Sequence, residues 1–273
     1  MDSAKKILEK KTNNGKISKI KSFEEVLTAY RTTIKDSQMF KDLCEALDSY
    51  ITDIDRIRCL AIGTFHDDTP AKYQLALLLE LVDFIKVKGS RETIPVSIYD
   101  PVFSKEDKEY IEGIVDPWTI DERWPTDKDW NSEKTLFFLP HAPLDLTEII
   151  LKEETPRFWL ANNVIEHTDR YTLLQLFEKY PHIAKLKHLL ESQQPAAKIT
   201  TTNDEFETFV SKRKKRTNKN KSKYKFEEPV INYDSVHTHF KECKILTNFQ
   251  NGALLKDKEW LNSFSDLTLH LIE

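Results

Sequence analysis

The sequence predicts an α/β protein: a Rossmann-like, methyltransferase-like sheet, mostly parallel, with helices on both faces and a helical extension at the N-terminus. Three observations carry this. Short apolar runs at Arg58–Ile62, Val96–Tyr99, Thr135–Leu139 and Arg157–Ala161 alternate with helical patterns. The runs are near-continuous rather than alternating, as in parallel strands covered on both faces. Each ends on a turn-forming or polar residue, namely Gly63, Asp100, His141 and Asn162. In such sheets ligands bind outside the carboxyl ends of the strands, so these four residues are expected along one cleft.

The elements follow in order. Residues 1–21 are Lys-rich and polar and read as a flexible basic tail. Ser22-Phe23-Glu24-Glu25 has capping-box spacing and opens a helix carrying Val26, Leu27, Tyr30 and Ile34. A second helix carries Phe40, Leu43, Leu47 and Ile51, so 22–57 form an N-terminal helical pair. The first strand ends at Gly63, and Thr64 to Asp68 make a polar loop. Thr69 is the expected N-cap of a helix from Ala71 to Val87, with Pro70 at its first position and Gly89 as its stop. After the second strand, Ser104 with Asp107 opens a helix to about Gly113, and a weak third strand lies near Ile114–Ile120. Pro143 starts the helix after the fourth strand. Beyond the fifth strand, a helix bearing Leu173, Leu174, Leu176 and Phe177 stops at Tyr180-Pro181, and a shorter one reaches about Leu190.

The core therefore spans 58–190. Residues 191–229 break the pattern and read as a disordered basic insertion, with SKRKKRTNKNKSKYK at 211–225. Residues 230–273 supply two late strands, Thr238–Leu246 and Phe264–Leu271, an antiparallel pair at the sheet edge.

Composition narrows the function. The 273 residues have a net charge of −4, 39% hydrophobic and 32% charged residues, and mean hydropathy −0.55. No apolar run reaches the ~20 residues of a membrane helix, and no apolar leader or lipidation motif is seen, so a cytoplasmic protein is expected. The 3 Cys residues are far apart, which argues against a disulfide framework or a structural zinc site. The net negative charge gives no general attraction to nucleic acid. The basic run at 211–225 is the local exception. It suits a nuclear import signal or contact with an acidic protein surface, tubulin's acidic tails being one conceivable target, or else it is simply solvated.

Only 5 glycines are present, and G-x-G-x-x-G is absent after the first strand. Phosphate-binding loops need glycines so that backbone N–H groups approach the ligand. Asp67 and Asp68 stand there instead and would repel a pyrophosphate, which counts against NAD, FAD and ATP. S-adenosylmethionine carries no phosphate and is the nucleoside cofactor left in play.

Taken in order, Leu60-Ala61-Ile62-Gly63-Thr64, Gln74-Leu75-Ala76-Leu77-Leu78, Tyr99-Asp100-Pro101-Val102-Phe103 and Leu139-Pro140-His141-Ala142-Pro143 resemble the SRR-like ("sensitivity to red light reduced"-like) domain family. In length and layout the chain is similar to its fungal, benomyl-resistance branch. The resemblance implies a regulatory protein, in a family linked to circadian and light signalling in plants and haem regulation in animals, with the fungal branch linked by name to a microtubule poison. It implies no enzymatic activity. Two departures from the family pattern are Phe65-His66-Asp67-Asp68 in place of small residues, and Ala142 where a Cys commonly follows Pro-His.

Each site residue has two readings. Gly63 and Thr64 line a ligand loop, or simply lead into a capped helix. Asp100 accepts hydrogen bonds from a ribose, or makes an Asp-Pro turn. His141 acts as a general base, since its pKa lies near neutrality, or bonds to backbone in a Pro-flanked turn. Asn162 binds a ligand or caps the next turn. His237 and His239, with Asp234 nearby, share one face if they lie in a strand, but lack a third metal ligand at diagnostic spacing. The overall expectation is a regulatory protein with an unidentified protein partner. The alternative is an S-adenosylmethionine-dependent transferase or nucleoside-binding protein.

Overall fold

The computed structural model describes residues 21–126, 130–193 and 230–273. The expected basic tail, apart from Lys21, and the expected insertion beyond Gln193 lie outside the described residues, as does the basic run.

Two helices precede the sheet. In α1 (Phe23–Asp36) the Ser22 hydroxyl accepts from the Glu25 N–H at 3.2 Å, and the Glu25 carboxylate accepts from the Ser22 N–H at 2.8 Å. This reciprocal pair satisfies two donors that a helix start leaves free. Ser37 then ends α1 and caps α2 (Gln38–Asp48), its hydroxyl accepting from the Phe40 N–H.

The strands are β1 (Arg56–Leu60), β2 (Val96–Tyr99), β3 (Trp118–Ile120), β4 (Thr135–Leu139), β5 (Phe158–Asn162), β6 (Cys243–Thr247) and β7 (Leu267–Ile272). They form one sheet in the order β3-β2-β1-β4-β5-β7-β6. The first five are parallel. β7 runs antiparallel between β5 and β6, and β6 is the outer strand. The fold is the mostly parallel Rossmann-like sheet that the alternating pattern predicts.

Helices cover both faces. On one lie α1, α2, α3 (Thr69–Lys88) and α4 (Lys105–Glu112), with Phe249, Trp260 and Phe264 from the segment before β7. On the other lie α5 (Leu144–Glu153), α6 (Val164–His167), α7 (Leu173–Lys179) and α8 (Pro181–Gln193). Eleven of the 20 residues of α3 are buried, because α1 packs over the side that faces away from the sheet. No helix among the described residues is long and apolar enough to cross a membrane.

Several local expectations need correction. The N-cap of α3 is Asp68, whose carboxylate accepts from the Ala71 N–H at 3.0 Å, and Thr69 is already helical. A carboxylate at the positive end of a long helix gains from the helix dipole as well as the hydrogen bond. Gly89 does end α3 as expected, at φ −80, while the left-handed residue is Ser90 at φ 51. The helix after Pro181 is the longer of its pair, 13 residues against 7, because Pro is well accommodated in a first helical turn. His237 and His239 precede β6 rather than sit in it, so strand alternation does not align them. Among the described residues no group of three or more His, Cys, Asp or Glu side chains is placed to hold a metal ion.

Register sets one further feature. Ser97, Arg58, Phe137, Trp159 and His270 are successive partners across five strands and point to the same face. Four members of this buried row, all but Phe137, carry polar groups, which must find partners inside the protein.

Candidate functional site

The loops after β1 and β2 meet at a tight turn. After β1 the chain passes through Ala61 at φ 55 and Gly63 at φ 78. The Gly63 N–H donates to Asp100 Oδ2 at 2.8 Å, and the Val102 N–H donates to Asp100 Oδ1 at 3.0 Å. Asp100 thus ties the loops after β1 and β2 together, and each oxygen retains a further lone pair. A Cβ built on Gly63 would lie 3.3 Å from the Ala71 Cβ, so the glycine serves both the positive φ and the close approach of α3. Gly63→Ala is expected to cost about 1–2 kcal/mol, read by urea unfolding; an unchanged midpoint would show that the turn relaxes freely.

Around this turn opens a cavity of about 1230 Å³. Gly63, Asp68 and Gln74 form one wall, Tyr99, Asp100 and Pro101 a second, and Glu122, Arg123, Trp124 and Thr126 a third. His141, Pro143, Leu146, Ile149, Ile150, Glu153 and Glu154 close it from β4 and α5. The Trp124 ring stacks on Phe137 at 5.6 Å and 9°. Five carboxylates line the walls against one guanidinium, Arg123. Three of them are already engaged: Asp68 as the α3 cap, Asp100 with the Gly63 and Val102 N–H groups, and Glu154 with Arg58.

Arg58 holds the third wall in place. It is fully buried in β1. Its Nη1 donates to Ser97 Oγ and to the Asp121 carbonyl, both at 2.7 Å, and its Nη2 donates to the Glu122 carbonyl at 3.3 Å. Nε and Nη2 also reach the two Glu154 oxygens at 3.3 and 3.4 Å. Burial pushes the Glu154 carboxyl up from its ordinary value, and the adjacent guanidinium offsets only part of that. Sequence reasoning missed Arg58, although a charged residue inside an apolar strand was a legible signal that it has a buried partner.

Gly63, Asp100 and His141 line the large cavity together. Asn162 does not. It borders a smaller, open cavity of about 390 Å³ with His141, His167, Arg170, Tyr171 and Lys179. Its amide donates to Asp266 Oδ1 at 2.8 Å. Thr64 lines neither cavity. Its hydroxyl donates to Asp107 Oδ2 at 2.6 Å, and Asp107 also accepts from the His66 N–H and the Ser104 N–H, with His66 Nδ1 at 2.8 Å. Burial acts to raise the Asp107 pKa, yet these hydrogen bonds together hold it below the ordinary carboxylate value. Phe23 of α1 stacks on the His66 ring at 3.9 Å, which joins the helical extension to this loop.

His141 stands between the two cavities. Desolvation by the surrounding walls lowers its pKa from 6.5, against the pull of Asp266, a bond to the Asn262 backbone and the charge of Asp68. The ring is therefore mainly neutral at pH 7, the form that accepts a proton. Asp266 itself is held below the ordinary value. Burial works upward there, and hydrogen bonds from His167 and Asn162 override it.

No solved structure gives a significant match to this chain. The model of the SRR1 domain matches residues 31–271, from within α1 to the penultimate position of β7. The match takes in every strand and both cavities, and the chain belongs to the SRR1 domain family.

Proposed function

We propose that this is a regulatory protein whose large cavity binds a small ligand without phosphates, of nucleoside size, and which acts through a protein partner. The observation that carries the reading is the cavity's lining: aromatic at Tyr99 and Trp124, acidic on every wall, and without a glycine cradle. Apolar surface with a few placed polar groups suits a flat ligand, and the carboxylates favour a neutral or cationic one. The family resemblance points the regulation toward circadian, haem-related or, for a fungal benomyl-resistance member, microtubule-related processes. A cytoplasmic and nuclear distribution fits such a role.

A second reading is an S-adenosylmethionine-dependent transferase, favoured by the position of Asp100 at the end of β2, beside the cavity. The donor set fits that cofactor in part. Asp100 keeps lone pairs for ribose hydroxyls, and the acidic walls suit a sulfonium cation. When bound, the cofactor supplies a methyl group. His141 would orient the acceptor or take its proton.

Thermal unfolding in the presence of adenosine, S-adenosylmethionine, S-adenosylhomocysteine, NAD and ATP tests both readings. A phosphate-free nucleoside at 100 times its Kd should stabilise the protein by roughly 2.7 kcal/mol, a rise in Tm of about 5 °C. Leu146→Trp, which puts a larger side chain into the cavity, should reduce the rise. An equal or larger rise with ATP or NAD would overturn the phosphate-free assignment. Release of S-adenosylhomocysteine from S-adenosylmethionine would select the transferase.

A further inference from the structure

We infer that the protein binds a single internal water molecule at the end of β5, held by Trp159, Asn162 and His167. Three buried polar atoms, Trp159 Nε1, Asn162 Oδ1 and His167 Nε2, have no hydrogen-bond partner among the described residues. All three residues line one small cavity of about 10 Å³, which shares Leu144, Asn162 and His167 with the open pocket. Leaving such groups unpaired is costly in a protein interior, and three at one place is far from the usual pattern.

The orientation of each group is fixed by its other bonds. Asn162 Nδ2 donates to Asp266 Oδ1, so Oδ1 is the end left over. His167 Nδ1 faces Asp266 Oδ2 at 3.5 Å, so the proton belongs on Nδ1 and Nε2 carries the lone pair. The indole N–H can only donate. The set is one donor and two acceptors. A water oxygen accepts from Trp159, and its two hydrogens go to Asn162 and His167. The cavity is about the volume one water centre needs, and three bonds are the usual complement of a buried water. A larger polar ligand is excluded by size. A cation is excluded by the indole donor.

The site gives the strand-end asparagine an occupation different from contact with a ligand. It joins the core of β5 to α6 and, through Asp266, to the turn before β7. His167 Nε2 is sealed from solvent, so it is not a base available to anything in the open pocket.

A crystal structure at high resolution tests this directly. The expected result is a density peak ~2.7–3.2 Å from all three atoms. In solution, the Trp159 indole proton should show a water cross-peak with the sign of a long-lived bound water. Trp159→Phe assigns that proton and should empty or displace the peak while keeping the fold. No peak and no cross-peak in the wild-type protein would overturn the inference. So would a peak unchanged in Trp159→Phe, or a protein group found bonded to these atoms.

Discussion

Arg58→Met is expected to destabilise the protein by about 3–5 kcal/mol, measured by urea or thermal unfolding. Methionine matches the length and apolar body of the arginine stem, so the loss is of charge and donors more than of volume. Glu154, with 9% of its surface exposed, would lose its counter-charge inside the protein. The Ser97 hydroxyl and the carbonyls of Asp121 and Glu122 would lose their donor at the same time. Glu154→Gln should cost less, because its amide oxygen still accepts one Arg58 bond and the two carbonyls remain. Arg58→Met should also loosen the loop that carries Trp124, so ligand-induced stabilisation should fall further in it than in Glu154→Gln. A loss below about 1 kcal/mol for Arg58→Met would show that the buried pair is a neutral substitution for apolar packing.

His270 is expected to make stability depend on pH between about 6.5 and 4. It is fully buried in the same cross-strand row, two strands from Arg58's neighbour Phe137. Burial lowers its pKa to about 4, although bonds to the Trp159 and Thr268 backbone pull the other way. In the unfolded chain the ring takes a proton as pH falls through about 6.5; in the folded protein only as it falls through about 4. Over that interval the unfolded state binds more protons, so stability is full above 6.5 and declines as the medium is acidified. The complete loss is about 3 kcal/mol. His270→Gln, which removes the titration and keeps a hydrogen-bonding side chain, should flatten the profile relative to wild type over that range. The other histidines are common to both proteins, so their contributions cancel in the comparison. Parallel profiles would mean that His270 stays neutral in neither state or both.

The periodicity of the chain revealed the strands and their order of appearance, because burial on both faces leaves near-continuous apolar runs. It also revealed where a cleft belongs, since parallel strands end on one side. It did not reveal which side chains share that cleft. Thr64 looked like part of a ligand loop. Asp107, more than forty residues onward in α4, takes its hydroxyl instead. Asn162 ends β5 as expected, and Asp266, brought alongside by antiparallel β7, takes its amide. Arg58 was visible as a charge in an apolar strand, but its partners Ser97, Glu122 and Glu154 lie on three other elements. Nothing local in the sequence connects them.

By itself the sequence determined the α/β class, the capping of the first helix, the lack of a G-x-G-x-x-G motif after the first strand and the family resemblance. Each of these is a property of residues close together in the chain: hydrophobic period, capping spacing, glycine count, short ordered motifs. The tertiary structure alone decided that β7 lies between β5 and β6, that Gly63, Asp100 and His141 share a cavity while Thr64 and Asn162 do not, and that Arg58 and His270 are buried in one row. Those outcomes depend on strand register, and a shift of one residue would turn every side chain of a strand to the opposite face. Register is set by the summed packing of the whole core, which no local stretch of sequence carries.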